Sequence, residues 1–318
     1  MTPLRSAFAA GLRAPLRHWR LVALLWAVNL AVALPLAAVL ADEIKASLGK
    51  SLVAEELLQG FDTGWHGELR HGAGRIAETF GGEVLGAGAF FENLERWWRG
   101  DLLSLPPALV AVGLLYAVVW AFLLGGVLER LAGTAAGGSA SFFAACGRHW
   151  FRFLRLALLA AVLYYLVYRL VRAGFGALEA ASRDVTSERT VLLWVLAGAA
   201  LTVLLLAAVR TAFDYAKIDV VEERRRSALA AAWAGLRFVD AYPFATLGLY
   251  GDFAFLGALL LALYAVLPPF AGAGTWATVL LAALVGQLAL ATKLALRLAL
   301  LGAETELYGR RAAPPPAS

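Results

Sequence analysis

The sequence predicts an all-α membrane protein, a polytopic bundle of six transmembrane helices with a helical extracytoplasmic insert. Three observations carry this. Apolar residues make up 61% of the 318 and charged residues 16%, and the mean hydropathy is +0.72, whereas a soluble domain is nearer half apolar and a quarter charged. Six apolar stretches are long enough to cross a hydrocarbon core of about 30 Å. Lysine and arginine are divided between alternate connections, as a fixed membrane orientation requires. Residues 1–318 read as one membrane domain; the same length would also make two soluble domains, but not with this hydropathy.

The apolar stretches are 21–41, 107–128, 153–171, 191–209, 244–266 and 276–300. The first, second and fourth contain no charge. The third is the weakest, because Arg155 and Arg169 bracket its apolar core, and it spans if both arginines snorkel to the interfaces. Five spans with a surface-lying third helix is the alternative.

Cationic segments resist translocation, so orientation follows the basic residues. With residues 1–20, 129–155, 210–243 and 293–318 in the cytoplasm, the inner pieces hold 18 basic and 8 acidic residues, and the outer pieces 10 basic and 14 acidic. Inversion would export the Arg224, Arg225, Arg226 run. Both termini are therefore expected in the cytoplasm, 1–20 as an amphipathic segment and 301–318 as a tail. Arg5, Arg13, Arg17 and Arg20 ahead of an apolar run ending Val39, Leu40, Ala41 imitate a signal peptide. That run is longer than the usual 7–15 residues of such a signal, which makes it an uncleaved anchor. The excess of arginine over lysine and the abundance of alanine follow GC-rich coding and point to a bacterial inner membrane.

Three segments preceding the inward-to-outward spans are alike: Ala10 to Leu21 (AGLRAPLRHWRL), Ala145 to Leu156 (ACGRHWFRFLRL) and Ala234 to Leu247 (AGLRFVDAYPFATL). The first two share Arg17, His18, Trp19 and Arg148, His149, Trp150. A hairpin repeated three times accounts for this; so does convergent interface chemistry, since tryptophan and arginine collect at headgroups in any case. Either way Arg17, Trp19, Arg148 and Trp150 are candidate contacts for anionic lipid.

The loop 42–105 is too long for a bare connector and carries 11 acidic and 6 basic residues, a balance that suits neither nucleic acid nor a polyanion. Ile44, Leu48, Leu52, Val53 and Leu57 predict one helix, stopped at Gly60. Phe90, Phe91, Leu94, Trp97 and Trp98 predict a second with an aromatic face. After the fourth span, no Gly or Pro occurs between Val209 and Ser227, so the helix should continue as a solvated, charged one with a Glu222–Arg226 pair. Lys217, Arg224, Arg225 and Arg226 are the alternative reading there, as anionic-lipid contacts.

Catalytic patterns are sparse. Asp62-Thr63-Gly64 spells an aspartic-protease triplet, which needs a second carboxylate copy that the chain lacks; a helix-capping Asp62 explains it better. His66 and His71 lack the i, i+4 spacing of a helical metal pair and read as surface histidines. Gly72, Gly74 and Ala77 imitate a dinucleotide fingerprint without the strand it needs. The single cysteine, Cys146, excludes a disulfide framework or a CxxC pair and is expected to pack as a small apolar residue. No cofactor and no metal are expected, and no nucleophile sits beside a base.

Charged groups inside spans are expensive and usually pair or line a cavity. Asp252 lies in the fifth span, Lys293 and Arg297 in the returning sixth, with Gln287 and Asn29 available to hydrogen-bond. This polar cluster (Asn29, Asp252, Gln287, Lys293, Arg297) fixes helix packing in one reading and binds a proton or solute in the other. Gly248, Gly251 and Gly257 would permit close helix contact, and Gly248–Gly251 is the candidate interruption of a transporter-type broken helix. Pro268 and Pro269 end that span.

The run Asp214-Tyr-Ala-Lys217-Ile-Asp-Val-Val-Glu222-Glu-Arg-Arg-Arg226-Ser227, with Phe143-Ala-Ala-Cys146-Gly-Arg148 and Gly125-Gly126, resembles an uncharacterised family of bacterial six-pass membrane proteins. More loosely, the architecture is similar to the membrane domain accompanying some glycerophosphodiester phosphodiesterases. The resemblance implies a six-span fold over nearly the whole chain and brings no activity, since those enzymes' metal-binding catalytic domain has no counterpart here. The expectation is a non-enzymatic membrane module binding lipid or another membrane protein, with no nucleic-acid partner. The alternative is a small secondary transporter using Asp252 and Lys293.

Overall fold

The computed structural model describes residues 3–49, 57, 62–73, 107–134, 138–223, 225, 227–266 and 275–312. Within them every regular element is an α-helix: α1 (Pro3–Arg17), α2 (Trp19–Leu48), α3 (Thr63–Ala73), α4 (Pro107–Leu131), α5 (Ser139–Ser182), α6 (Glu188–Glu222), α7 (Ala228–Ala241), α8 (Pro243–Val266) and α9 (Trp276–Ala312). Six of these, α2, α4, α5, α6, α8 and α9, are long and apolar enough to cross a membrane, the number the sequence predicts. Their apolar surplus faces outward. The most apolar window of α6 is 0% buried, and Leu192, Leu193, Leu201, Val203 and Leu204 all stand exposed. In water such a surface would be an aggregation patch; in hydrocarbon it is matched.

The doubtful third stretch resolves clearly. It belongs to α5, 44 residues long, or roughly 66 Å at 1.5 Å per residue, with Arg155 and Arg169 both exposed. Arg169 donates to Tyr165 Oη at 3.3 Å.

The chain divides into two compact units. Unit 1 comprises Met1–Leu16, Val119–Phe253 and Leu298–Ser318, and it is organised by short helices docking on the ends of long ones. Gly11 of α1 lies against α9: a Cβ there would stand 2.5 Å from the Ala299 carbonyl oxygen and 2.6 Å from Ala303 Cβ. Gly235 of α7 lies against α6, touching the Ala212 carbonyl and 2.7 Å from the Ala216 nitrogen on the same construction. The start of α5 lies against the end of α4, where Gly125 and Gly126 leave room for Ala145, Cys146, His149 and Phe142. The three aligned positions Gly11, Cys146 and Gly235 thus make equivalent contacts. Each short segment docks on the returning helix of the hairpin before it, and the first docks on the last. Cys146 is buried as expected.

Unit 2 comprises Arg17–Val118 and Ala254–Arg297. Trp26 Nε1 donates to Gln287 Oε1 at 2.8 Å, and Trp65 Nε1 donates to Ser47 Oγ at 3.0 Å, tying α3 to the end of α2. Asp62 caps α3, its Oδ1 accepting from the Gly64 and Trp65 backbone nitrogens at 2.7 and 3.3 Å.

Several expectations change. Ile44 and Leu48 do not begin a separate helix, because α2 runs unbroken from the first span to Leu48. His66 is not a surface residue; it is 8% exposed. Among the described residues, a Cβ at Gly248, Gly251 or Gly257 would meet nothing within 4 Å, so no close contact is made there, and α8 is continuous through them rather than broken. The helix ends are not solvated: Thr211 to Ala216 and Ile218 to Val221 are buried, as are Leu301, Ala303, Glu304, Leu307 and Tyr308 in the stretch expected as a tail. Leu52, Val53, Gly60, Gly74, Ala77, Phe90, Phe91, Leu94, Trp97, Trp98, Arg224, Arg226, Pro268 and Pro269, and the side chain of His71, lie outside the described residues.

Candidate functional site

The polar residues that come together lie in unit 1, at the end of α6 and the facing end of α9. Helix α6 continues because nothing breaks it before Glu222, and its continuation is buried all round, from Thr211 to Ala216 and from Ile218 to Val221. One face of it carries Thr211, Asp214, Tyr215, Ile218 and Asp219, all buried. Ser227 then caps α7 through a 3.3 Å bond from the Ala230 nitrogen, and α7 lays Phe238 over Tyr215 with ring centroids 4.6 Å apart.

Both aspartates on this face are paired with cations. Asp214 Oδ1 accepts from Lys217 Nζ at 2.6 Å, and its Oδ2 lies 3.8 Å from Arg210 Nε. The Arg210 guanidinium also sits 5.7 Å from the Tyr250 ring. Asp219, with a fully buried side chain, accepts from Tyr308 Oη at 2.8 Å and pairs with Arg225 Nε at 2.8 Å. Taking charges out of water is expensive, and such pairing with added hydrogen bonds is what offsets it. Glu304 is different. It is 1% exposed, and neither of its oxygens has a hydrogen-bond partner among the described residues. Thr211 Oγ1 and Tyr215 Oη are unpartnered too.

A second buried centre joins α4 to α5. Glu129 Oε1 accepts from Arg148 Nη1 at 3.0 Å and lies 2.8 Å from His149 Nε2. The His149 side chain is 3% exposed and Arg148 54%. Among the described residues no group of three metal-ligating side chains forms.

The sequence-predicted polar cluster is placed as follows. Gln287 accepts from Trp26. Asn29 Nδ2 donates to the Leu25 carbonyl at 2.8 Å. Arg297 Nη1 reaches Tyr116 Oη at 3.5 Å. Asp252 and Lys293 are both exposed, and the ion pairs of the described residues include neither. Of the candidate lipid contacts, Arg17, Trp19 and Arg148 are exposed. Trp150 instead turns toward the protein, edge-on to Phe122 at 6.1 Å, with its indole nitrogen buried. Arg225 is committed to Asp219.

Sequence reasoning missed Thr211, Tyr215, Asp219, Glu304 and Tyr308 as a group. The available signal was helical periodicity: Ala212, Tyr215, Ala216, Asp219 and Val220 carry the buried face past the last apolar residue of the span. No family model matches the chain, and no curated protein and no solved structure matches it.

Proposed function

We propose that the chain is a non-enzymatic module of a bacterial cytoplasmic membrane, with both termini cytoplasmic, whose short entry helices hold anionic lipid headgroups. The supporting observation is a division of labour repeated in the three aligned segments. Helix α1 buries Ala7, Gly11 and Ala14 and leaves Leu12 and Leu16 exposed beside Arg13 and Arg17. Helix α7 buries Ala231, Gly235 and Val239 and exposes Leu229, Trp233 and Leu236 beside Arg237. The start of α5 buries Ala145, Cys146 and His149 and exposes Phe143 and Phe151 beside Arg148. A helix whose small-residue stripe grips the protein while leucine, tryptophan and arginine face out suits the headgroup layer, where apolar area and cationic charge act together. The resemblance to uncharacterised bacterial six-pass proteins agrees with this reading and adds no activity.

The test is lipid retention. Purified protein from nanodiscs of mixed phosphatidylglycerol and phosphatidylcholine is expected to keep phosphatidylglycerol preferentially in native mass spectrometry. Each arginine near an anionic surface contributes about 1 kcal/mol, so R13E/R17E/R237E should weaken retention by roughly two orders of magnitude. Equal retention of the two lipids by the unaltered chain would contradict the reading.

A small secondary transporter is the second reading, favoured by one observation. Asp252 is a carboxylate within a span and without an ion-pair partner among the described residues, and such groups usually line a polar path.

A further inference from the structure

Three of the unpartnered side chains of unit 1, Thr211, Tyr215 and Glu304, lie on the facing ends of α6 and α9. Helices α6 and α9 run the same way along this end: Tyr215 faces Tyr308 with ring centroids 6.3 Å apart, Asp219 meets Tyr308, and a Cβ at Gly309 would lie 3.9 Å from Glu222 Oε1. One turn earlier on each helix, four residues before Tyr215 and Tyr308, stand Thr211 and Glu304. Thr211 and Tyr215 are each 0% exposed. The Glu304 carboxylate is close enough to act electrostatically on Tyr215, Arg210, Asp214 and Lys217. Four oxygens, two of the carboxylate and two hydroxyls, are therefore each buried on these facing helix ends with no hydrogen-bond partner among the described residues.

We propose that Glu304, Tyr215 and Thr211 form a buried binding site for one small monovalent cation, sodium being the best fit. The donor set decides the class. Four hard oxygens carrying one negative charge match one positive charge. Calcium takes six to eight oxygen ligands, and magnesium demands a near-ideal octahedron. The carboxylate that acts electrostatically on Glu304, Asp214, is already held by Lys217 and Arg210. Transition metals are drawn to imidazole and thiolate, and no such ligand group forms among the described residues. Lys217 does not neutralise Glu304 by contact: its ammonium is bound to Asp214 at 2.6 Å, and neither Glu304 oxygen has a hydrogen-bond partner among the described residues. An unpaired carboxylate and two idle hydroxyls in a dry interior are costly; a cation coordinated by all four removes that cost at once. The site joins the two helix ends that α1 and α7 clamp, so occupancy would lock unit 1.

The test is the melting temperature of the purified protein in detergent without added lipid, titrated with sodium, potassium or choline chloride at constant pH and ionic strength. A ligand that binds only the folded state stabilises in proportion to the logarithm of its concentration over Kd. A saturable rise with sodium, absent with choline, is expected. Glu304→Gln should abolish it, and Thr211→Val and Tyr215→Phe should each raise the sodium midpoint at least tenfold. If Glu304→Gln does not fold, the other two variants carry the test, since each loses a single oxygen from the set. Identical curves in sodium and choline, or a sodium effect undiminished in the variants, would overturn the proposal and leave the carboxylate to a proton or to water. The measurement uses no anionic lipid, so it fails independently of the headgroup reading.

Discussion

Tyr308 Oη and Asp219 Oδ1 meet at 2.8 Å across 89 residues of chain, joining the last turns of α6 and α9 through a carboxylate whose side chain is wholly enclosed. A hydrogen bond to a buried charge contributes about 1.5–3 kcal/mol. Tyr308→Phe keeps the ring stack with Tyr215 and removes only that bond. Thermal unfolding in detergent should register a loss of this size; an unchanged melting temperature would mean that Arg225 alone suffices.

The docking of α7 on α6 depends on Gly235. Any larger side chain there would enter the backbone of Ala212 and Ala216, which cannot give way as a flexible chain can. Gly235→Leu is expected to displace α7 and destabilise by more than about 3 kcal/mol, at the upper end of point-mutation effects. Gly248→Ala, where no described residue lies within 4 Å of the added Cβ, should instead be neutral or stabilising by up to about 1 kcal/mol through helix propensity. Paired melting curves for the two variants decide this.

Glu129 anchors the start of α5 through His149 and Arg148. Burial lowers the His149 pKa and favours its neutral ring, so removing the carboxylate leaves a buried nitrogen without its hydrogen-bond partner, which typically costs about 1–3 kcal/mol. Glu129→Ala should approach that cost. Arg148→Ala should cost no more than about 1 kcal/mol, because the arginine is 54% exposed and already largely solvated. Similar losses in both variants would show that Arg148, rather than His149, holds the junction.

Asp252 is exposed on α8 and belongs to none of the ion pairs found among the described residues. Asp252→Asn should therefore change stability by less than about 0.5 kcal/mol. On the leading account, liposomes containing the unaltered protein show no proton-driven solute flux above protein-free controls. A flux that Asp252→Asn abolishes at unchanged stability would give the transporter reading precedence.

The six spans were legible because hydropathy over about 20 residues is a local property that tertiary contacts hardly modify. Asp62 at the start of α3 was legible for the same reason, since a cap acts within one turn. The site was not. Asp214, Lys217 and Asp219 read as a solvated charged face when taken singly, and only the folded chain brings Tyr308 and Arg225 to answer Asp219. Glu304 stood in what composition marks as a polar tail, although Leu301, Ala303, Leu307 and Tyr308 continue the apolar periodicity around it. Conversely, Gly248, Gly251 and Gly257 resembled a packing motif, but the same residue type serves close contact at Gly11 and Gly235 and open space at Gly248. Composition does not distinguish those two situations.

The central claim is that the enclosed polar cluster sits at the cytoplasmic end of a six-span bundle, and site-directed cysteine labelling tests it most directly. A cysteine placed at Ser187, between α5 and α6, and another at Ser227, between α6 and α7, would be probed with a membrane-impermeant maleimide; native Cys146 is buried and serves as the silent background. Ser187→Cys is expected to label in intact spheroplasts, and Ser227→Cys only after lysis. Labelling of Ser227→Cys in intact spheroplasts, or equal labelling of both positions, would contradict the account.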